Sequence, residues 1–381
     1  MPTDPTPSSK SAPAASEDAR STSRRHLLRY GLAAGAATAI GGVGGRVLAA
    51  NLLGAPAPIG AAIDAQFPLC LTAADGTAPT GPLRPLKLAW NASAICTASA
   101  PIAKETGIFA RHGLDVEFVN FGSSTEQLLE AIATGKADAG IGMALRWLKP
   151  LEQGFDVKIT AGVHGGCLRL LGNAEAGITS VAALKGKTIA VSDQASPGKN
   201  FFSIYLAEHG IDPFNDVEWR QYPLEALPLA IDKGEAHALA DADPRTWIWI
   251  KASKGKLVEL ATNLSEKYVD RTCCIIGVRG SLIRDEKPVA TALTRAILEG
   301  AHKAGTDPEL AARVFSGYGG KGSEEDLVAM LKSQDHHHSP VGADLKRQIA
   351  LYADELKLVQ VFKPATNTAR FAEKVYADVL S

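Results

Sequence analysis

Gly135-Lys136-Ala137-Asp138-Ala139-Gly140-Ile141 and Gly234-Glu235-Ala236-His237-Ala238-Leu239-Ala240 hold the same place in two successive units of the chain. Each closes a helical stretch and opens a short strand. Working back from the first, Lys87-Leu88-Ala89-Trp90 reads as a strand, and residues 101–112 as a helix stopped at Gly113, whose missing Cβ suits a left-handed helix end. Asp115-Val116-Glu117-Phe118-Val119 alternates polar and apolar side chains as a half-buried strand does. Ser123-Ser124-Thr125 then caps a helix running to Ala133, because hydroxyls satisfy the orphan amides of a first turn. Working back from the second, the order recurs: strand 188–191, helix 199–209, strand 217–220, helix 224–233, strand 236–240. Short apolar runs alternating with longer amphipathic ones predict parallel strands joined by helices, and the duplication predicts two similar lobes.

A helix over 146–153 and a strand over 156–163 extend the first unit, and Cys273-Cys274-Ile275-Ile276-Gly277-Val278 is a further strand. Helices are expected at 286–303, 307–316, 323–333, 342–356 and 367–379, completing the first lobe and strapping the back of the second. The division is thus 86–180 with 272–381 in one lobe and 181–271 in the other.

The region before residue 86 has a different character. Residues 1–20 are rich in Pro, Ser, Ala and Thr, too poor in apolar groups to offset chain ordering, and read as a disordered leader. Ser23-Arg24-Arg25-His26-Leu27-Leu28-Arg29 follows, then an apolar Gly/Ala run over 31–45 and small residues ending Ala49-Ala50. Basic, apolar and small residues in that order make an export signal. The paired arginines resemble the twin-arginine (Tat) consensus, with His where a polar residue is usual and Leu where Phe is common. An ordinary secretory signal and an uncleaved anchor are the alternatives, although the apolar run is shorter than the roughly 20 residues a span needs. A lipoprotein site fails, because Cys70 lies far beyond the run and lacks small neighbours. Residues 51–85 read as an Ala/Pro-rich linker.

Composition excludes several functions. The 40 basic and 41 acidic residues leave no electrostatic footprint for nucleic acid. Aromatics at 6% argue against a carbohydrate-stacking surface. There is no Gly-x-x-x-x-Gly-Lys-Ser/Thr loop, so any ATP hydrolysis belongs to a partner.

Four stretches together resemble the nitrate, sulfonate and taurine binding-protein family, which also includes thiamine-precursor binding proteins. They are residues 101–109 (Pro-Ile-Ala-Lys-Glu-Thr-Gly-Ile-Phe), 112–118 (His-Gly-Leu-Asp-Val-Glu-Phe), 133–139 (Ala-Thr-Gly-Lys-Ala-Asp-Ala) and 184–191 (Leu-Lys-Gly-Lys-Thr-Ile-Ala-Val). The resemblance spans about 290 residues, from Leu86 nearly to the end. It implies a type II periplasmic-binding-protein fold, α/β, with two Rossmann-like lobes joined by a two-strand hinge. It also implies a monomeric, non-catalytic component of an ABC importer, needing no cofactor, that delivers a small oxyanion, sulfonate or carboxylate to permease and ATPase subunits.

Ligands of open α/β sheets sit beyond the carboxyl ends of strands. The candidate ligand-binding residues are therefore Trp90, Asn91, Ser93 and Cys96; Ser123, Ser124 and Thr125; Met143 and Ala144; His164 and Cys167; Gln194 and Ser196; Asp241 and Asp243; and Cys273. The Ser123–Thr125 hydroxyls serve equally as a plain N-cap. Asp241 and Asp243 suit turn structure as well as a cationic or hydrogen-donating ligand group.

The chain has five cysteines, an odd number for an exported protein. His164-Gly-Gly-Cys167 and Cys273-Cys274 are expected to cross the hinge side by side, with Cys96 nearby. Three readings stay open: small buried hydrophobes, a disulfide from Cys167 to residue 273 or 274, or a thiolate and imidazole site for a metal or thiophilic ligand. Candidate metal ligands are His164, Cys167, Cys273 and Cys274, with His336, His337 and His338 forming a second imidazole cluster that also reads as a solvated loop. The rival from another class is an enzyme like the thiamine-pyrimidine synthases, which use His and Cys with iron; an export signal argues against it.

Overall fold

The computed structural model describes residues 81–121, 125–336 and 338–381, with side chains for all of these but 125 and 126. The export segment, most of the linker, Cys70, Ser123, Ser124 and His337 lie outside the described residues, as does the side chain of Thr125. The described residues from 81 to 381 belong to one compact unit.

The strands, in chain order, are β1 (Arg84–Trp90), β2 (Leu114–Asn120), β3 (Ala139–Met143), β4 (Val157–His164), β5 (Leu168–Asn173), β6 (Lys187–Val191), β7 (Val217–Gln221), β8 (Ala238–Ala242), β9 (Leu257–Thr262) and β10 (Cys274–Arg279). They form two five-stranded sheets of order β2-β1-β3-β10-β4 and β7-β6-β8-β5-β9. The repeated unit is visible in the registers: β1 runs parallel to β2 and β3, as β6 does to β7 and β8. Each sheet then takes one antiparallel strand from the chain as it arrives from the other lobe. After β4 the chain crosses at residues 165–167 and enters the second sheet as β5, between β8 and β9. After β9 it crosses back and enters the first sheet as β10, between β3 and β4.

Burial follows position. On the edge strand β2, Leu114 and Val116 are buried while Asp115 and Glu117 are exposed, the period-2 pattern of a sheet wetted on one face. The inserted strands β5 and β10 are buried almost throughout, since both faces are covered. That explains what the sequence did not disclose. Strand β5, in the stretch assigned above to the first lobe, sits in the second sheet. Its run Leu-Arg-Leu-Leu-Gly-Asn carries no alternation to mark a strand, and only pairing with β8 and β9 defines it. Strand β9 and the helix Arg245–Ala252 were also unread; the helix is built of Trp and Ile, residues that by propensity favour strands.

The helix expected over 101–112 is two, Ser99–Glu105 and Ile108–Arg111, divided at Gly107 with φ +71°. Nothing lies within 4 Å of a Cβ built there, so Gly107→Ala meets no clash and its cost is all backbone. The expected loss is about 1–2 kcal/mol, the left-handed penalty of an L-residue, read as a lower urea midpoint at constant m-value.

The C-terminal helices fall at Lys287–Thr306, Pro308–Gly317, Glu324–Lys332, Gly342–Leu358 and Thr368–Val375. They do more than finish the first lobe. Lys251 in the second lobe pairs with Asp326, and Arg271 pairs with Glu355 at 2.9 Å. The segment after the third of these helices reaches the crossover, where the Gly165 amide donates to the Asp335 carbonyl at 2.8 Å. Among the described residues no helix is long and apolar enough to cross a membrane.

Candidate functional site

A cleft of about 380 Å³ opens between the lobes at the carboxyl ends of their parallel strands. The first lobe lines it with Asn91, Cys96, Thr97, Met143, Arg146 and Trp147, and the second with Ser192, Asp193, Ser196, Gly198, Asp241 and Arg245. Ser196 caps the helix Pro197–Glu208, its hydroxyl accepting from the Lys199 amide at 3.2 Å, with Pro in the first helical turn. That helix start therefore faces the cleft, and its dipole favours a negative group.

The charges in the cleft are matched. Arg146 Nη1 donates to Asp193 Oδ2 at 2.8 Å across the lobes, and Asn200 Nδ2 donates to the Leu145 carbonyl at 3.1 Å beside it. Arg245 grips Asp241 through both carboxylate oxygens, at 2.6 and 3.0 Å. Burial pulls the Arg245 pKa down, but the Asp241 carboxylate more than offsets this and holds the guanidinium charged. Asp243 is fully buried, and its carboxylate accepts from Arg169 Nε (2.9 and 3.1 Å), Thr246 Oγ1 (2.6 Å) and Gln334 Nε2 (2.9 Å). Asp243 thus welds the second lobe to the C-terminal segment.

At the cleft floor the crossovers bring four thiols and an imidazole together. The Cys273 amide donates to the His164 carbonyl at 2.7 Å, and the Asp243 amide to the Cys167 carbonyl at 2.8 Å. Gly166 (φ +83°) and Cys167 (φ +108°) turn the chain through a region that L-residues rarely adopt. Strain of that kind at a non-glycine residue persists only where surrounding structure imposes it, and it clusters at functional sites. Cys96, Cys167, Cys273 and Cys274 are all buried and unbridged; Cys167 and Cys273 place their sulfurs 3.3 Å apart.

One donor atom from each of Cys96, His164 and Cys274 lies within 4.8 Å of the others. His164 Nδ1 is 3.0 Å from the Gly165 carbonyl, which can only accept, so Nδ1 carries the proton. Nε2 is buried without a hydrogen-bond partner of ordinary geometry. Burial lowers the His164 pKa, but the Cys96 sulfur, then Cys273 and the Gly165 carbonyl, outweigh it and raise it to about 9. Hydrogen bonds from Cys167 and Cys274, helped by His164, draw the Cys96 thiol well below its usual value.

Of the residues proposed from sequence, Asn91, Cys96, Met143, Ser196, Asp241 and Asp243 reach the cleft wall. His164, Cys167, Cys273 and Cys274 join Cys96 beneath it, and His336 stacks on His164 with ring centres 5.3 Å apart. Others lie elsewhere. The Trp90 indole donates to Thr97 Oγ1 at 2.7 Å within the core, Ser93 bonds Asn91, Gln194 bonds the Trp219 carbonyl, and Ala144 is a buried helix start. His338 turns to Asp344 at 3.5 Å and Gln348 at 3.1 Å. Arg146 and Arg245 were missed. Each stands three residues beyond a strand end, Met143 or Ala242, two residues past the ends expected at Ile141 and Ala240, and each is the first cation after it.

The NMT1/THI5-like family model matches residues 98–311, more than half of the chain. The chain belongs to that family. Relatives in Brucella abortus (strain 2308) and Brucella suis biovar 1 (strain 1330), both named as binding proteins, are 29% identical over 224 residues, covering 57% of this chain and 66% of theirs. The match therefore spans just under two thirds of these relatives' length. Among solved structures, the periplasmic aliphatic sulphonate-binding protein of Escherichia coli superposes with a TM-score of 0.64 at 16% identity, over 77% of this chain and 92% of that one. The periplasmic nitrate-binding protein of Synechocystis PCC 6803 gives 0.64 at 18% identity, over 80% and 88%. A zinc-bound ligand-binding component of an ABC-type import system from Staphylococcus aureus gives 0.62 at 16% identity, over 78% and 97%. These likenesses establish the periplasmic-binding-protein fold for this NMT1/THI5-like chain.

Proposed function

We propose that the protein is the extracytoplasmic solute-binding component of an ABC importer, exported by the twin-arginine route, that closes its lobes on a small ligand and presents it to a permease without catalysis. The observation that carries this reading is the cleft itself, lined about equally by two similarly built lobes that the chain joins through two crossovers. Such a join permits hinge closure around a ligand. The paired arginines at 24–25 supply the export route.

The ligand class we propose is a small molecule bearing an anionic group, an oxyanion, sulfonate or carboxylate. Arg146, Arg245 and the start of the helix Pro197–Glu208 all face the cleft and all favour negative charge. Asp193 and Asp241 already balance the two guanidiniums, so the ligand shares them rather than meeting free cations.

A melting-temperature screen with nitrate, bicarbonate, alkanesulfonates, aromatic carboxylates and pyrimidines tests this. A true ligand at about 100 times its Kd adds about 2.7 kcal/mol, and small-angle scattering should show compaction with the same compound. Arg146→Ala, which removes the interlobe pair, is expected to enlarge the ligand-free radius of gyration and weaken binding at least about tenfold. If no compound of the set shifts the melting temperature or the scattering, the reading fails.

A further inference from the structure

The cluster beneath the cleft has more order than packing requires. Two sulfurs and one imidazole nitrogen come from three separate places, the loop after β1, the last residue of β4 and the first of β10, and converge within 4.8 Å. All three residues are buried, with Cys274 and His164 almost completely so. A structural histidine at such depth ordinarily has both nitrogens bonded, because an unpaired buried polar atom costs about 1–3 kcal/mol. His164 has one: Nδ1 is fixed on the Gly165 carbonyl, and Nε2 has no hydrogen-bond partner of ordinary geometry, although the ring interacts with the Cys96 sulfur. A backbone carbonyl on one nitrogen with the other turned to a cluster is how proteins orient a metal-binding imidazole.

We propose that Cys96, His164 and Cys274 form a three-ligand site for a soft d10 cation, Zn(II) or Cu(I), at the floor of the interlobe cleft. Metal–sulfur bonds of about 2.3 Å and metal–nitrogen bonds of about 2.0 Å place the donors of a tetrahedral site roughly 3.5–3.8 Å apart. A contraction of about 1 Å from the present spacing is enough, without a change of partners. Thiolate and imidazole select this class over hard cations such as Mg(II) and Ca(II), which take oxygen. Cys167 and Cys273, whose sulfurs are 3.3 Å apart, adjoin these three donors.

The fourth position is the consequential one. Cys96 lines the cleft while His164 and Cys274 lie beneath it, so the Cys96 side of the site is the one nearest the ligand chamber. Bound there, the cation is either itself the cargo or offers an open position to a donor atom of the cargo. Because His164 ends β4, just before one crossover, and Cys274 begins β10, just after the other, coordination also ties the metal to the hinge. The site deepens the solute-binding reading but is tested apart from it.

The full chain, purified reduced and without a polyhistidine tag, is stripped with a chelator and titrated with Zn(II), and anaerobically with Cu(I), against a chromophoric competitor. One equivalent of either ion is expected, with a thiolate-to-metal charge-transfer band on Co(II) substitution. Cys96→Ser and His164→Gln should each cost more than the roughly 10–100-fold that a merely supporting residue costs. His338→Gln, which faces Asp344, should leave affinity unchanged. Far-UV circular dichroism of each metal-free variant establishes folding; if His164→Gln does not fold, Cys96→Ser at the cleft wall carries the test. Binding below half an equivalent of both ions, or equal affinity in Cys96→Ser, overturns the site. Metal binding with no response to the ligand screen leaves the site standing and sinks the anionic-ligand reading; a response to an anion with no metal bound sinks the site alone.

Discussion

Asp243→Ala is expected to cost about 3–5 kcal/mol of folding stability, because it breaks a buried ion pair by removing one partner. The carboxylate has no exposure to solvent, and three side chains converge on it: Arg169, Thr246 and Gln334. Removing it strands the buried Arg169 guanidinium, which keeps Glu259, the Ser333 hydroxyl and the face of Trp247. The same change cuts Gln334, and with it a link between the second lobe and the C-terminal segment. Urea unfolding followed by fluorescence measures the loss. Asp243→Asn should fall between, since its oxygen still accepts from Thr246 or Arg169 while the charge is gone. A loss below about 1 kcal/mol for Asp243→Ala would mean that Glu259 alone suffices for Arg169.

Trp147 is the second case. Its indole, fully buried, rests on the first sheet where Gly142 on β3 and Gly277 on β10 leave the surface bare. A Cβ at Gly142 would stand 2.2 Å from Trp147 Nε1, and the three nearest atoms it meets all belong to that ring. Trp147→Ala empties this seat and is expected to cost about 3–5 kcal/mol. Gly142→Ala should also destabilise, by about 1–3 kcal/mol, through overpacking. The two are not additive: with the ring gone, the methyl group has room. A double-mutant cycle should give a coupling of about 1–3 kcal/mol favouring the pair, and strict additivity would refute the contact. Since Trp147 also lines the cleft, Trp147→Ala should deepen it and weaken any small ligand.

The thiol cluster shows how a site is half legible in sequence. The pairing of His164-Gly-Gly-Cys167 with Cys273-Cys274 was readable because both flank strands expected to cross together, and β10 does pair with β4 from Cys274 opposite His164. That Cys96 rather than Cys167 or Cys273 stands with His164 and Cys274 was not readable, since it depends on how the loop after β1 lies over the crossover. The consecutive histidines 336–338 part company for a similar reason. His336 stacks on His164, while His338 is drawn away by Asp344 and Gln348 on the next helix.

The cleft divides along the same line. Asn91, Met143 and Ser196 were found because loops at carboxyl strand ends are local features that follow from the strand pattern. Arg146 and Arg245 were not, because their standing in the site comes from Asp193 on the opposite lobe and Asp241 on the preceding strand.

What the sequence determined by itself was the repeated strand–helix plan, since hydrophobic period and turn chemistry act over a few neighbouring residues. What only the tertiary structure decided was the place of β5, the divided charges of the cleft and the convergence of Cys96 with His164 and Cys274. Each of these depends on which distant segments meet when the chain crosses between the lobes, and no local pattern records such a meeting.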